Sequence, residues 1–193
     1  MNDLKFTTAG DYMSDIEKNN SDLICELVKE NDPFLREVPE IFDFDSPQVD
    51  PEKLEKQLIE NMIYHRGYGL SANQIGIPVT AFAMMNGIDP VVVFNPEITD
   101  FSDETVSMKE GCLSFPGLFV SIERAYGVST RFQLSDGQEQ AGHFTDIPAR
   151  VFQHESEHMD GDIFIDNVSG YRLKAAMRKR KSILRQLKKQ KKG

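Results

Sequence analysis

The chain has 193 residues, 39% of them hydrophobic and 27% charged, with a formal charge of −9. That length and apolar content suit one globular domain with a substantial core, and no apolar run approaches the roughly 20 residues needed to span a bilayer, which excludes a membrane-spanning protein. Two widely separated cysteines, Cys25 and Cys112, and an opening Met1-Asn2-Asp3-Leu4-Lys5 without an apolar leader point to a reducing, cytoplasmic compartment.

In chain order, residues 1–30 form an acidic N-terminal extension. Ile16, Leu23, Ile24, Leu27 and Val28 stand among its charges and predict an amphipathic helix within residues 11–30. Asp50-Pro51-Glu52 opens a clearer helix, with Leu54, Leu58, Ile59, Met62 and Ile63 at helical spacing and Gly67 at its end. From residue 79 to about 145, runs such as Thr80-Ala81-Phe82-Ala83-Met84 and Val91-Val92-Val93-Phe94 read as strands. The turn signals Asn86-Gly87, Asn95-Pro96 and Asp136-Gly137 separate them. Another helix starts with Asp146 as N-cap and Pro148 in the first turn, and stops at Gly161. A basic helix follows Gly170, and the terminal Lys188-Lys189-Gln190-Lys191-Lys192-Gly193, which lacks apolar spacing, is expected to fray. Helix, strand block, helix and basic helix predict an α+β fold, with antiparallel or mixed sheets around a central helix rather than alternating parallel units. The predicted division is a catalytic domain over residues 1–170 and a basic helix or tail over 171–193.

The charge is unevenly spread. Eleven of the 22 Lys and Arg residues lie from Arg172 onward, where there is no Asp or Glu, leaving 11 against 31 acidic residues and a formal −20 on the rest. An acidic body repels phosphate backbones and a basic tail attracts them, so any nucleic-acid contact is expected through the C-terminus; the alternative is a tail that only solubilises.

His154-Glu155-Ser156-Glu157-His158 carries the chemistry. Four residues make slightly more than one helical turn, so His154 and His158 share a face and can ligate one divalent ion, with Glu155 beside a bound water as base. Val151 and Phe152 supply apolar surface around that face. An open metal site needs a third protein ligand, and Cys112 in Glu110-Gly111-Cys112-Leu113-Ser114 is the strongest candidate; a buried, inert cysteine is the alternative. Gly67-Tyr68-Gly69-Leu70-Ser71-Ala72-Asn73-Gln74 allows close backbone approach at its glycines, and Gln74 can donate to a developing oxyanion. The same loop also reads as a structural turn.

Together these segments resemble the peptide deformylase family, whose signature is a Gly-x-Gly-φ-Ala-Ala-x-Gln loop, a Glu-Gly-Cys-Leu-Ser segment and a Gln-His-Glu-x-x-His helix, in that order. Here they begin at Gly67, Glu110 and Gln153, and Asn31-Asp32-Pro33-Phe34-Leu35-Arg36 and Asn95-Pro96 extend the likeness. The resemblance implies a hydrolase that removes the formyl group from N-formylmethionyl nascent peptides and releases formate. It implies Cys112, His154 and His158 as metal ligands, Glu155 as catalytic acid and base, and Gln74 with the Leu113 backbone N–H as oxyanion donors, Gly69 lying in the same catalytic loop. It places the methionine pocket on Tyr68, Met108, Ile147 and Val151, flanked by Glu110, Gly111 and His154; plain core positions are the alternative for Met108 and Val151. It further implies one divalent ion, ferrous iron as the working metal with zinc or nickel as occupants of purified protein, and ribosome contact through the basic tail.

Three positions depart from the family pattern: Ser71 for Ala, Glu157 for Asp and Met159 for Leu. Glu157 is expected to face Arg124 while activity is retained. His65 and His143 match no motif and are assigned surface or capping roles. The rival readings are a zincin-type metallopeptidase, which would replace Cys112 with a distant His or Glu ligand, and a ribosome-binding homologue without catalysis.

Overall fold

The computed structural model describes residues 22–190, with side chains described through residue 186. Its main element is a five-stranded antiparallel sheet in the order β1-β2-β3-β6-β7, formed by Gly69–Ser71 (β1), Ala81–Asn86 (β2), Asp89–Phe101 (β3), Gly127–Gln133 (β6) and Glu139–Thr145 (β7). Thr105–Glu110 (β4) and Val120–Ala125 (β5) make a separate two-stranded sheet. The helices are α1 (Pro51–Tyr64), α2 (Asp146–Met159) and α3 (Gly170–Gln190). This is the α+β arrangement predicted, with α2 packed against the sheet.

Strand alternation explains how one sheet serves two cores. Ala81, Ala83, Val92 and Phe94 belong to a cluster with Leu54, Leu58, Ile59 and Met62 of α1. Their sequence neighbours Phe82, Met84 and Val93 join Val151, Phe152 and Met159 of α2. Successive side chains point to opposite faces, so the continuous apolar runs of β2 and β3 are those of strands covered on both sides. Burying each of the Val, Leu, Ile, Met and Phe side chains among them contributes on the order of 1.5–3 kcal/mol. A third cluster gathers Leu35, Cys112, Phe115, Leu118, Val120, Ile163, Phe164 and Ala176 of α3.

The start of α1 follows the sequence: Asp50 accepts from the Lys53 N–H at 3.0 Å and Pro51 opens the first turn. The Asn86-Gly87 signal is the β2–β3 hairpin, with Gly87 at φ +71°.

Other expectations are corrected. Asn95-Pro96 is a bulge inside β3, where the register shifts between Phe94 and Glu97 and Asn95 adopts φ +48°. There the Asn95 side chain accepts from the Phe42 N–H at 2.8 Å and donates to the Phe42 carbonyl at 2.9 Å, so the residue stitches a loop to the strand. The cap of α2 is Thr145; Asp146 has φ +56°, while Gly161 at φ +75° ends the segment as expected. In residues 24–29 the amphipathic pattern is not helical. The Cys25 N–H donates to Asn61 Oδ1 and the Val28 N–H to the Gln74 carbonyl, each at 2.8 Å, and the apolar side chains of this extended segment are divided between two clusters. Residues 11–21 of that predicted helix lie outside the described residues. The helical assignment of α3 runs to Gln190, beyond the expected fraying point at Lys188; Lys191, Lys192 and Gly193 lie outside the described residues.

Candidate metal centre and active site

Each functional side chain is fixed by its own element. The β1 strand and the 3-10 turn Ala72–Ile75 carry Gln74 inward, where its side chain closes a capping box with Ser71. Gln74 Oε1 accepts from the Ser71 N–H at 3.0 Å, which turns Nε2 toward Cys112 Sγ at 3.1 Å and Ser114 Oγ at 3.2 Å. Cys112 follows β4, and α2 presents His154, Glu155 and His158. The ligand atoms of Cys112, His154 and His158 lie within 4.8 Å of one another, and all three residues are buried. Soft thiolate and two imidazoles suit a tetrahedral divalent site with one open position. A further observation fits an ion with a bound water: Glu155 Oε2 is buried without a hydrogen-bond partner among the described residues.

A chain of charges holds the histidine face. Arg124, 7% exposed, donates to Glu110 through Nε at 2.7 Å and Nη2 at 2.9 Å, and to Glu157 through Nη1 at 2.7 Å and Nη2 at 2.8 Å. Glu110 also takes a close contact from Arg150 Nη1 and lies 3.2 Å from His154 Nδ1. Glu157 thus occupies the place expected for it against Arg124, and Arg124 and Glu110 together orient His154.

The electrostatics follow from this packing. Burial would raise the Glu110 carboxyl, but hydrogen bonds from His154 and Arg124 lower it to about 2. Burial favours neutral His154, yet hydrogen bonding to Cys112 and Glu110 raises it to about 10, and an ion bound there would displace a proton. For His158 burial dominates, reinforced by the His154 charge, and lowers it to about 3; it stays neutral and ready to ligate. Burial pushes Glu155 up to about 7, against the opposing charge of His154, which suits a group that takes and returns a proton near neutrality.

A cavity of about 660 Å³ opens over these groups, lined by Tyr68, Gly69, Gln74, Glu110, Gly111, Cys112, Leu113, Ile147, Val151, His154 and Glu155 among others. Gly69 has no room for a side chain: a Cβ there would meet Glu155 Oε1 and come within 2.6 Å of Val151 Cγ1. Of the residues expected around the site, Met108 is not a wall of this cavity. It pairs across the two-stranded sheet with Ile122, whose side chain packs on the third cluster. His158 stands in the ligand cluster without lining the cavity.

Sequence reasoning missed the apolar wall Phe115, Leu118 and Phe119, for which the signal was an apolar stretch around Pro116-Gly117 directly after the cysteine motif. It also missed Arg150 as a partner of Glu110, and Leu27, His65, Arg66 and Lys109 as cavity walls. His65 takes the capping role assigned to it, its N–H donating to the Asn61 carbonyl, and His143 is exposed beside Ser129.

The polypeptide deformylase family model matches residues 24–174, which contain every group described above. This chain belongs to the polypeptide deformylase family. Among deformylase relatives, the peptide deformylase of Thermotoga petrophila is 43% identical over 118 residues, 61% of this chain and 72% of the relative. That of Bartonella tribocorum is 38% identical over 162 residues, 79% of this chain and 89% of the relative. The solved peptide deformylase of Thermotoga maritima superposes with a TM-score of 0.71 at 36% identity, covering 76% of this chain and 98% of its own. A Synechococcus elongatus peptide deformylase in complex with actinonin gives 0.74 at 27% identity, covering 80% and 86%. The cluster of Cys112 with two histidines separates this deformylase site from a zincin, whose third ligand is a distant His or Glu. Among the described residues no helix is long and apolar enough to cross a membrane.

Proposed function

We propose that this chain is a metal-dependent peptide deformylase that hydrolyses the formyl amide of N-formylmethionyl nascent peptides, releasing formate and a free N-terminus. The observation that carries the proposal is the convergence of Cys112, His154 and His158 within 4.8 Å, with the Gln74 amide turned onto Cys112 and Glu155 in the same cavity wall.

Cys112, His154 and His158 would hold the ion. When bound, a divalent metal supplies Lewis acidity that acidifies a water and polarises the formyl oxygen. The methionine side chain fits the apolar wall of Ile147 and Val151, with Tyr68 at the mouth; Met108 supports the neighbouring sheet from outside that pocket. Gln74 Nε2 and the Leu113 N–H are the donors for the oxygen that gains charge as the carbonyl becomes tetrahedral. Glu155 takes the proton of the attacking water and delivers it to the departing amine nitrogen. Gly69 keeps backbone beside that carboxylate, which leaves space for an extended peptide. The soft donor set suits ferrous iron, zinc or nickel, with ferrous iron the proposed working metal. Nascent chains and the two free cysteines both fit a cytoplasmic setting.

The catalytic unit is proposed to extend to residue 170, with α3 as a docked basic helix. Arg172, Lys174, Arg178, Lys179, Lys181 and Arg185 are exposed on α3 and are proposed to meet ribosomal RNA.

Formate release from formyl-Met-Ala-Ser by anaerobically purified, ferrous-reloaded protein tests the reaction, with Glu155→Ala as control. Turnover that disappears in the variant is expected. No turnover at full metal occupancy would sink the enzyme reading. For the helix, reversing Lys174, Arg178 and Lys181 to Glu is expected to weaken ribosome binding and flatten its salt dependence. Unchanged binding would leave α3 a solubilising cover.

A further inference from the structure

The exposed charges lining the cavity have one sign. Its charged walls are Arg66, Lys109, Glu110, Arg150 and Glu155, of which Glu110, Arg150 and Glu155 are buried. Glu110 is engaged by two arginines, and Arg150 by Glu110 and the Val106 and Ile122 carbonyls. Only Arg66 and Lys109 are exposed, and neither forms an ion pair among the described residues. Among the described residues no exposed carboxylate lines the cavity, although the chain before Arg172 carries a formal −20. Arg66 is also held at φ +60°, an uncommon conformation for a non-glycine residue, immediately before the loop that carries Gly69.

A peptide with its formyl group at the metal ligands and its methionine against Val151 and Ile147 leaves the cavity through this mouth. Tyr68 and Phe119, 69% and 57% exposed, provide apolar surface there and the two cations provide the charge. Each extended residue advances about 3.3 Å, so the first residues after methionine pass the rim. At physiological salt, charges beyond about 8 Å are screened, so the exposed charges that line the cavity act on those residues more than charges elsewhere on the acidic body.

We infer that Arg66 and Lys109 set a preference for substrates carrying an acidic side chain within the two residues after formylmethionine, and against basic ones. The inference rests on the deformylase reading. Formate release is measured for formyl-Met-Xaa-Ser and formyl-Met-Ala-Xaa with Xaa as Asp or Lys, and the readout is the ratio of kcat/KM, Asp over Lys. Solvent-exposed pairs of this kind favour the opposite charge by up to about fivefold each, so a ratio of about ten is expected at low salt. It should fall toward about two at high salt. In Arg66→Asn with Lys109→Gln, the ratio should approach one; Asn tolerates the positive φ at position 66. Brisk turnover with a ratio of one or below in the native chain, a ratio insensitive to salt, or one that survives both substitutions would overturn the inference and leave the deformylase reading standing. No turnover of any formyl peptide would remove both.

Discussion

Arg124→Met tests whether the buried charge chain behind the metal ligands is held by its central guanidinium. The substitution removes four hydrogen bonds of 2.7–2.9 Å and leaves two carboxylates without that partner. Breaking a buried ion pair from one side costs about 3–5 kcal/mol, because the remaining charge stays desolvated. Two features bring the value to the lower end: Arg150 still neutralises Glu110, and the Glu157 side chain is 28% exposed and can take up water. We expect a loss of about 3 kcal/mol. With a urea m-value of about 2 kcal/mol/M, the midpoint should fall by about 1.5 M. The chain has no tryptophan, so circular dichroism is the suitable probe, with chelator present so that metal binding adds nothing to the native state. His154 would also lose its fixed orientation, which should weaken metal binding by about 10–100-fold. Glu157→Gln alone should cost about 1 kcal/mol, and much less in the Arg124→Met background, since the pair acts as a unit. A midpoint shift under about 0.5 M for Arg124→Met would refute the reasoning, showing that the site hydrates freely once the arginine is gone.

Cys112→Ala should lower zinc affinity more than about 100-fold, measured by competition with a chromophoric chelator; retained affinity would mean that another donor completes the site. Glu155→Gln should reduce kcat for formate release by about 10²–10⁴ while metal content, measured by atomic emission, stays constant. In the native enzyme the acid limb of kcat/KM should report the Glu155 carboxylate at or below pH 7, since burial holds it near 7 and a bound cation can only lower it; a limb well above 7 would point to another group. Gly69→Ala should cost at least about tenfold in kcat/KM without loss of metal, because its methyl would displace Glu155 or Val151; unaltered kinetics would show that the loop yields. Glu110, lowered from 4.5 to about 2, contributes stability that is present above pH 4.5 and lost as pH falls through 2. That amounts to on the order of 3 kcal/mol, and Glu110→Gln should flatten this part of the stability curve in acid-unfolding titrations.

The parts of this protein legible in its sequence are those whose chemistry is local. A helical turn fixes the relation of His154 to His158, and a capping Asp with a following Pro starts α1, so both could be read without tertiary information. The Val91-Val92-Val93-Phe94 run announced a strand, but that it separates two different cores emerged only from the fold. Residues 24–29 show where local pattern misleads. Their apolar spacing satisfies a helix, yet docking of Cys25 onto Asn61 and of Val28 onto Gln74 outcompetes helical hydrogen bonding. Met108 was placed by motif adjacency, which could not reveal that its strand pairs it with Ile122, a residue outside the cavity wall. Arg150 as a partner of Glu110 had no sequence signal at a separation of 40 residues.

The order in which the third apolar cluster can be completed follows from how α3 is fastened. Arg180 donates through Nε to the Pro116 carbonyl at 2.9 Å and through both terminal nitrogens to Glu30, 150 residues earlier, while Ala176 closes the cluster that contains Cys112. Contacts so distant along the chain form late, because most of the polypeptide must exist before they can be made. During synthesis the apolar cluster around Cys112 therefore lacks its Ala176 side until α3 has been made.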